Sequence, residues 1–202
     1  MPRTRLHIGC GPQILPGWTN VDNQTYPGVD HVLDVTLGLP FRDVEYVFAE
    51  HFIEHLSFDD AFNFMRECRR VLATDGTLRL TTPNLDWVME THYRRESWAS
   101  DVDAIDSCFR TNRAFRGWGH QFLYNCQSLE ATLRLAGFGS IEGCTYGESR
   151  HEPLRGVERH ETYPDAPSLP HILVLEASGH GAEAPRGVRA AIDEFHSAID
   201  TI

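Results

Sequence analysis

The chain has 202 residues, 41% of them apolar, a size that suits one globular domain with a short appendage. Its 18 basic side chains are all arginine against 29 carboxylates, and a net charge of -11 excludes wholesale nucleic-acid binding by counterion release. No apolar run approaches the roughly 20 residues of a membrane span, so no membrane partner is expected. The five cysteines are odd in number and form no C-x-x-C pair. They read as reduced thiols of a cytoplasmic protein, and residues 1–5 show no signal-peptide pattern.

Residues 6–8 predict a first strand, which ends in Gly9-Cys10-Gly11-Pro12. Residues 19–22 and 31–34 predict the second and third, each ending in a carboxylate, and residues 46–49 a fourth ending at Glu50-His51. Between 58 and 72, apolar side chains at 58, 61, 62, 65, 68, 71 and 72 recur at helical spacing. Asp75-Gly76 predicts a turn and residues 77–81 a fifth strand. Parallel strands need a crossover, and the helix between strands four and five supplies one, so the fold class is α/β with a largely parallel sheet. Only about ten residues join strands one and two, which leaves the first helix missing or reduced to a turn.

Residues 85–122 are less regular, carry three of the four tryptophans (87, 98 and 118), and predict a lid over a ligand crevice. A helix over 128–136, stopped by Gly137, leads to two more strands at 138–146 and 169–177. The His-, Glu- and Arg-rich stretch 147–167 between them reads as a solvated loop. A domain over 1–178 is then followed by a linker and helix over 179–202, with apolar residues at 188, 192, 195, 199 and 202. That stripe either folds back on its own chain or pairs with a second copy, and a homodimer through this helix is the expectation.

Three strand ends carry the chemistry. Gly9 and Gly11 let the backbone approach a ligand closely. Asp22 stands where a carboxylate accepts the two hydroxyls of a ribose, and Asp34 where one receives an adenine amino group. The dinucleotide fingerprint is incomplete: the third glycine is missing, and Pro12 and Pro16 keep a long helix from starting at once. A pyrophosphate wants the amino end of such a helix, so a nucleoside without phosphates fits better.

Residues 6–11 (LHIGCG) with 16–22 (PGWTNVD) resemble the opening of the small bacterial class I S-adenosylmethionine-dependent methyltransferases, of the type 11-like kind. Residues 50–56 (EHFIEHL) resemble their motif after the fourth strand, and 66–84 their fifth-strand block. The likeness is strong over 5–84 and looser over 120–146 and 169–177. It implies a Rossmann-like sandwich with a seven-stranded, mostly parallel sheet and a reduced first helix, and S-adenosylmethionine as cofactor. Gly9, Cys10 and Gly11 would pass under the methionine part, Asp22 would hold the ribose, and Asp34 and Val35 would flank the adenine. Glu50 and His51 would lie where the reactive methyl faces the acceptor.

The implied reaction is in-line methyl transfer to an oxygen or nitrogen of a small-molecule acceptor. Two rivals are another use of the same cofactor, such as cyclisation, and a non-catalytic nucleoside-binding module. An acceptor that must lose a proton needs a base, and the candidates are His51, His55, His120 and Tyr124. His51 is the best placed of them, and His120 lies in the lid. His151, Glu152, His160, Glu161 and His171 match no zinc-ligand spacing, so no metal site is expected.

Overall fold

Seven strands form one sheet: β1 (Thr4–Ile8), β2 (Thr19–Asp22), β3 (His31–Val32), β4 (Val44–Glu50), β5 (Leu72–Pro83), β6 (Phe138–Gly143) and β7 (Ile172–His180). The computed structural model describes residues 3–93, 98–160, 162–163, 166, 169–181 and 187–199. The strand order is β3-β2-β1-β4-β5-β7-β6, with the first five parallel and β7 antiparallel to both its neighbours. The order reverses between β1 and β4, and ligands of open α/β sheets bind outside the strand ends at such a switch point.

Side chains alternate across each strand, and the two faces differ in chemistry. Leu6, Ile8, Val47, Leu78 and Leu175 turn to the face that holds the main core, under α1 (Phe58–Val71) and α4 (Cys126–Leu135). Helix α1 starts because the Ser57 hydroxyl accepts the Asp60 amide at 3.1 Å, and it buries Ala61, Phe64, Met65 and Cys68 on one stripe. Acidic residues in its first turn and arginines in its last complement the helix dipole.

The other face carries His7, Phe48, Arg79 and Glu176, all buried. No helix forms between β1 and β2, as expected, and loops cover the space instead. Leu15, Trp18 and Val157 pack there on Phe48. This corrects the solvated loop expected over 147–167, because Leu154, Val157 and Glu158 are all buried. Arg79 Nε donates to Glu158 Oε1 at 2.7 Å and its Nη1 to Glu176 Oε1 at 2.6 Å. A sheet face left bare by the missing helix has taken the loop as its cover, and the buried ion cluster clamps it.

The lid segment is also more ordered than its composition suggests. It folds as α2 (Leu85–His92) and α3 (Asp101–Arg116), whose caps are Asn84, accepting from the Asp86 amide, and Ser100, accepting from the Asp103 amide. The third strand is shorter than expected, because Asp34 leaves the sheet to cap a 3-10 turn over Val35–Leu37. Strand β5 is longer: Asp75 and Gly76 bulge out of it where the pairing jumps from Val44↔Leu72 to Tyr46↔Thr77.

The final helix, α5 (Val188–Ile199), docks on its own chain. The Phe195 ring lies 5.4 Å from Phe122 and 6.0 Å from Phe58, and Ile192 packs against the main core. His196 Nε2 stands 3.0 Å from Asp59 Oδ1. Of the apolar seam expected to pair with a second copy, Ile192 and Phe195 make contacts inside the chain, while Ile199 stays 51% exposed. Residues 182–186 and Ile202 lie outside the described residues. Among the described residues, no helix is long and apolar enough to cross a membrane.

Candidate active site

The turn after β1 is left-handed at both glycines, with φ 64° at Gly9 and 52° at Gly11. A Cβ on Gly9 would stand 2.5 Å from the Phe52 ring, whereas one on Gly11 would meet nothing within 4 Å. Gly11 thus faces open space, and its backbone amide donates to Asp22 Oδ2 at 2.8 Å. The Gln24 amide donates to Asp22 Oδ1 at 2.9 Å. An ionised carboxylate has about four acceptor sites, so two remain for a ligand. Cys10 is buried between them, and burial pushes its thiol up to about 11, so it is a packing residue rather than a nucleophile.

Two carboxylates expected at the cofactor also have partners within the chain. Val35 is buried beside Asp34, but Asp34 Oδ1 accepts the Thr36 hydroxyl at 2.7 Å and the Thr36 amide at 2.9 Å, which hold its carboxyl below the usual range. Glu50 is buried and anchors the β6–β7 loop. It accepts the Arg159 amide at 2.9 Å and the His160 amide at 3.1 Å, and His160 Nδ1 lies 3.2 Å from it. Burial opposes ionisation of Glu50, but the His160 ring and these amides outweigh it and depress its carboxyl. The same hydrogen bond raises His160 above its ordinary value of 6.5, against opposing burial.

The two shifts define a pH window. The His160 contribution to stability is complete below about 6.5 and is lost as pH rises through its raised value. The Glu50 contribution is complete above about 4.5 and is lost as pH falls through its depressed value. The melting-temperature difference between the wild type and His160→Asn is therefore expected to be largest from about pH 5 to 6.5 and to shrink at higher pH. A difference that stays constant across pH 5–9 would remove the pair from the account.

His51 follows directly at the end of β4 with φ 46°, a left-handed conformation that costs a non-glycine residue about 1–2 kcal/mol. Such strain is held by its surroundings and clusters at functional sites. The His51 amide donates to the Thr81 carbonyl at 3.0 Å, and its ring stacks on His160 at 4.3 Å. Its Nδ1 stands 3.1 Å from Glu54 Oε1, while its Nε2 is buried without a hydrogen-bond partner. Glu54 is fully buried and its Oε2 accepts the Thr82 hydroxyl at 3.0 Å. Glu54 thus places the proton on Nδ1 and leaves the Nε2 lone pair free.

A cavity of about 900 Å³ opens here, walled by His51, His55 and Pro83 and by the lid helices. It also includes Trp87, His92, Arg110, Arg113, Trp118, His120, His160, Tyr163 and His171. Among the described residues its wall carries no carboxylate. Burial, above all, lowers His55 from its ordinary value. Tyr124 is not the base it was considered for: its phenol is buried without a partner, and burial and Glu54 push it far up.

The structure brings Gly11 and Asp22 together, and separately His51 and His120 in one cavity. Gly9, Gly11, Asp22 and Asp34 lie outside that cavity's wall. Sequence reasoning missed Glu54 as the partner of His51, although the i,i+3 spacing across a tight turn was a usable signal. It also missed Arg110 and Arg113, one turn apart on α3.

The sequence profile of the family described as "Methyltransferase domain" matches residues 14–80. Residues 14–80 thus resemble a methyltransferase domain, within a sheet of the class I order. No curated protein sequence matches the chain.

Among solved structures, the domain is similar to a possible histamine N-methyltransferase from Thermotoga maritima. That match has 15% identity over 88% of this chain and 83% of that one, with a TM-score of 0.54. It is similar also to the YcgJ protein of Bacillus subtilis, at 14% identity over 89% of this chain and 93% of that one, with a TM-score of 0.53. The CMeT domain of the citrinin polyketide synthase matches at 15% identity over 90% of this chain, with a TM-score of 0.52. This chain spans 47% of that one and 50% of PigF, whose structure holds S-adenosylhomocysteine. At these identities the likeness shows the fold.

Proposed function

We propose that the domain transfers the methyl group of S-adenosylmethionine to a hydroxyl or ring nitrogen of a small, planar, acidic acceptor. The observation that carries this is His51 Nε2: buried, unpartnered, backed by Glu54, and set at the end of β4 beside the large cavity. S-adenosylmethionine, when bound, supplies an electrophilic sulfonium methyl. The residues at the switch point fit it. Gly11 leaves open space, and the Asp22 carboxylate is fixed by two amides with acceptor capacity to spare for ribose hydroxyls. Gly9, Cys10 and Gly11 would line the methionine side by backbone alone, and Val35 the adenine side.

The cavity defines the acceptor. Trp87, Trp118 and Tyr163 offer aromatic faces, and Arg113 sits 5.8 Å over the Trp118 ring. With Arg110 and Arg113 and no carboxylate in the described wall, it suits an anion such as a hydroxybenzoate. The Arg pair would hold the acid group, the rings would hold the plane, and His51 Nε2 would take the hydroxyl proton. All five cysteines are free, which supports a reducing, cytoplasmic setting.

Asp22→Ala tests the cofactor assignment. Hydrogen bonds to a charged group are each worth about 1.5–3 kcal/mol, so S-adenosylmethionine affinity is expected to fall at least about tenfold by calorimetry, with the fold intact. Unchanged affinity would remove this strand end from the cofactor site.

A further inference from the structure

Glu54, His55 and His120 each offer one ligand atom, and the three atoms lie within 4.8 Å of one another. Among the described residues this is the one such group of three or more. Donors bound tetrahedrally about 2.0–2.2 Å from one ion stand about 3.3–3.6 Å apart, so closing on an ion needs side-chain shifts of up to about an ångström.

Three further observations point to a ligand. Glu54 is 0% exposed, and its Oε1, 3.1 Å from His51 Nδ1, keeps a second lone pair that a cation could take up. His120 Nδ1 lies 2.8 Å from the Ala114 carbonyl, which takes its proton and leaves Nε2 as a bare lone pair. Metal-ligating histidines are oriented in this way. The convergence is also fastened. The Gln121 and Phe122 amides donate to the Glu54 carbonyl at 2.7 and 3.3 Å, and the Gln121 side chain donates to the His55 carbonyl at 2.6 Å. The chain reaches this position through a left-handed turn, with φ 56° at Trp118 and 82° at Gly119.

We infer that Glu54, His55 and His120 form a site for one divalent transition-metal ion, with its remaining coordination positions open to the acceptor cavity. His55 and His120 belong to the cavity wall, so an ion held there would meet whatever the cavity binds. Two imidazoles and one carboxylate suit zinc, cobalt, iron or manganese better than magnesium or calcium, which prefer all-oxygen shells. Three protein ligands with open positions are the pattern of a catalytic rather than a structural ion. Its part would be to bind the acceptor hydroxyl as a Lewis acid and favour loss of its proton to His51. That role rests on the methyl-transfer reading, whereas binding of the ion does not.

The test uses the full chain, stripped with chelator and desalted, and titrated with Co²⁺ and with Zn²⁺. One Co²⁺ per chain is expected, with visible absorption that Zn²⁺ abolishes, and each ion raises the melting temperature of the protein. In His55→Asn and His120→Asn the affinity falls at least tenfold, while the metal-free melting temperature stays that of the wild type. His92→Ala, a cavity residue outside the trio, binds both ions as the wild type does. The inference is overturned if the stripped wild type shows no saturable binding, or if binding survives in the His55→Asn/His120→Asn double variant. Calorimetry of S-adenosylmethionine on the same stripped protein separates the two readings. Cofactor binding without metal binding leaves methyl transfer standing and ends the metal site, and metal binding without cofactor binding does the reverse.

Discussion

Replacing His51 by alanine is expected to lower methyl transfer about 10²–10⁴-fold while S-adenosylmethionine affinity changes little. The separation follows from where the ring sits. His51 borders the large cavity, whereas the proposed cofactor contacts lie in the turn after β1 and at Asp22. Its Nε2 has no other partner to lose, and Glu54 behind it at 3.1 Å fixes which nitrogen carries the proton. His51→Gln keeps a polar group of similar reach without a basic nitrogen and should be as slow as alanine. Single-turnover rates and calorimetry on both variants decide the matter. If both turn over at near wild-type rates, positioning alone carries the reaction and His51 is not the base.

Arg79→Met is expected to destabilise the domain by about 3–5 kcal/mol, a large part of the roughly 5–15 kcal/mol that holds such a domain together. Arg79 is 0% exposed and lies between two carboxylates, Glu158 at 2.5 Å and Glu176 at 2.6 Å. Removing the cation leaves two buried negative charges facing each other. The damage also reaches the site, because Glu158 is followed directly by the Arg159 and His160 amides that Glu50 holds and by the ring that stacks on His51. Removing all three charges together, as Arg79→Met with Glu158→Leu and Glu176→Leu, should recover most of the loss, since apolar replacement of a buried ion cluster is often neutral or better. Urea unfolding gives both values. A single-variant loss below about 1 kcal/mol would mean that water already reaches the cluster.

The sheet and α1 were legible because their signals are local: apolar runs bounded by glycine or carboxylate for the strands, and a 3.6-residue period for the helix. The second face was not. Arg79 sits between Leu78 and Leu80 in a strand buried on both sides, and nothing nearby announces that its partners are Glu158 and Glu176. The lid helices were hidden by their own exposure. α3 turns Val102, Ile105 and Phe109 outward, so its apolar residues do not mark a buried stripe.

The site divides in the same way. Gly11 and Asp22 were readable as neighbouring strand ends, and the structure joins them by a hydrogen bond. Asp34 and Glu50 were readable as positions, but their partners within the chain, Thr36 and residues 159 and 160, were not. His120 meets His55, with ring centroids 5.1 Å apart, only because the chain leaves the lid and is tied back to Glu54. Linear ligand spacing cannot show such a meeting.

Methyl transfer itself is read from the nucleoside product when the purified chain is incubated with S-adenosylmethionine and a panel of hydroxybenzoates, with and without added Zn²⁺ or Mn²⁺. Mass spectrometry is expected to show S-adenosylhomocysteine and methylated acceptor appearing together in equal amounts. Methylthioadenosine in its place, or S-adenosylmethionine recovered unchanged across the whole panel, would contradict the assignment.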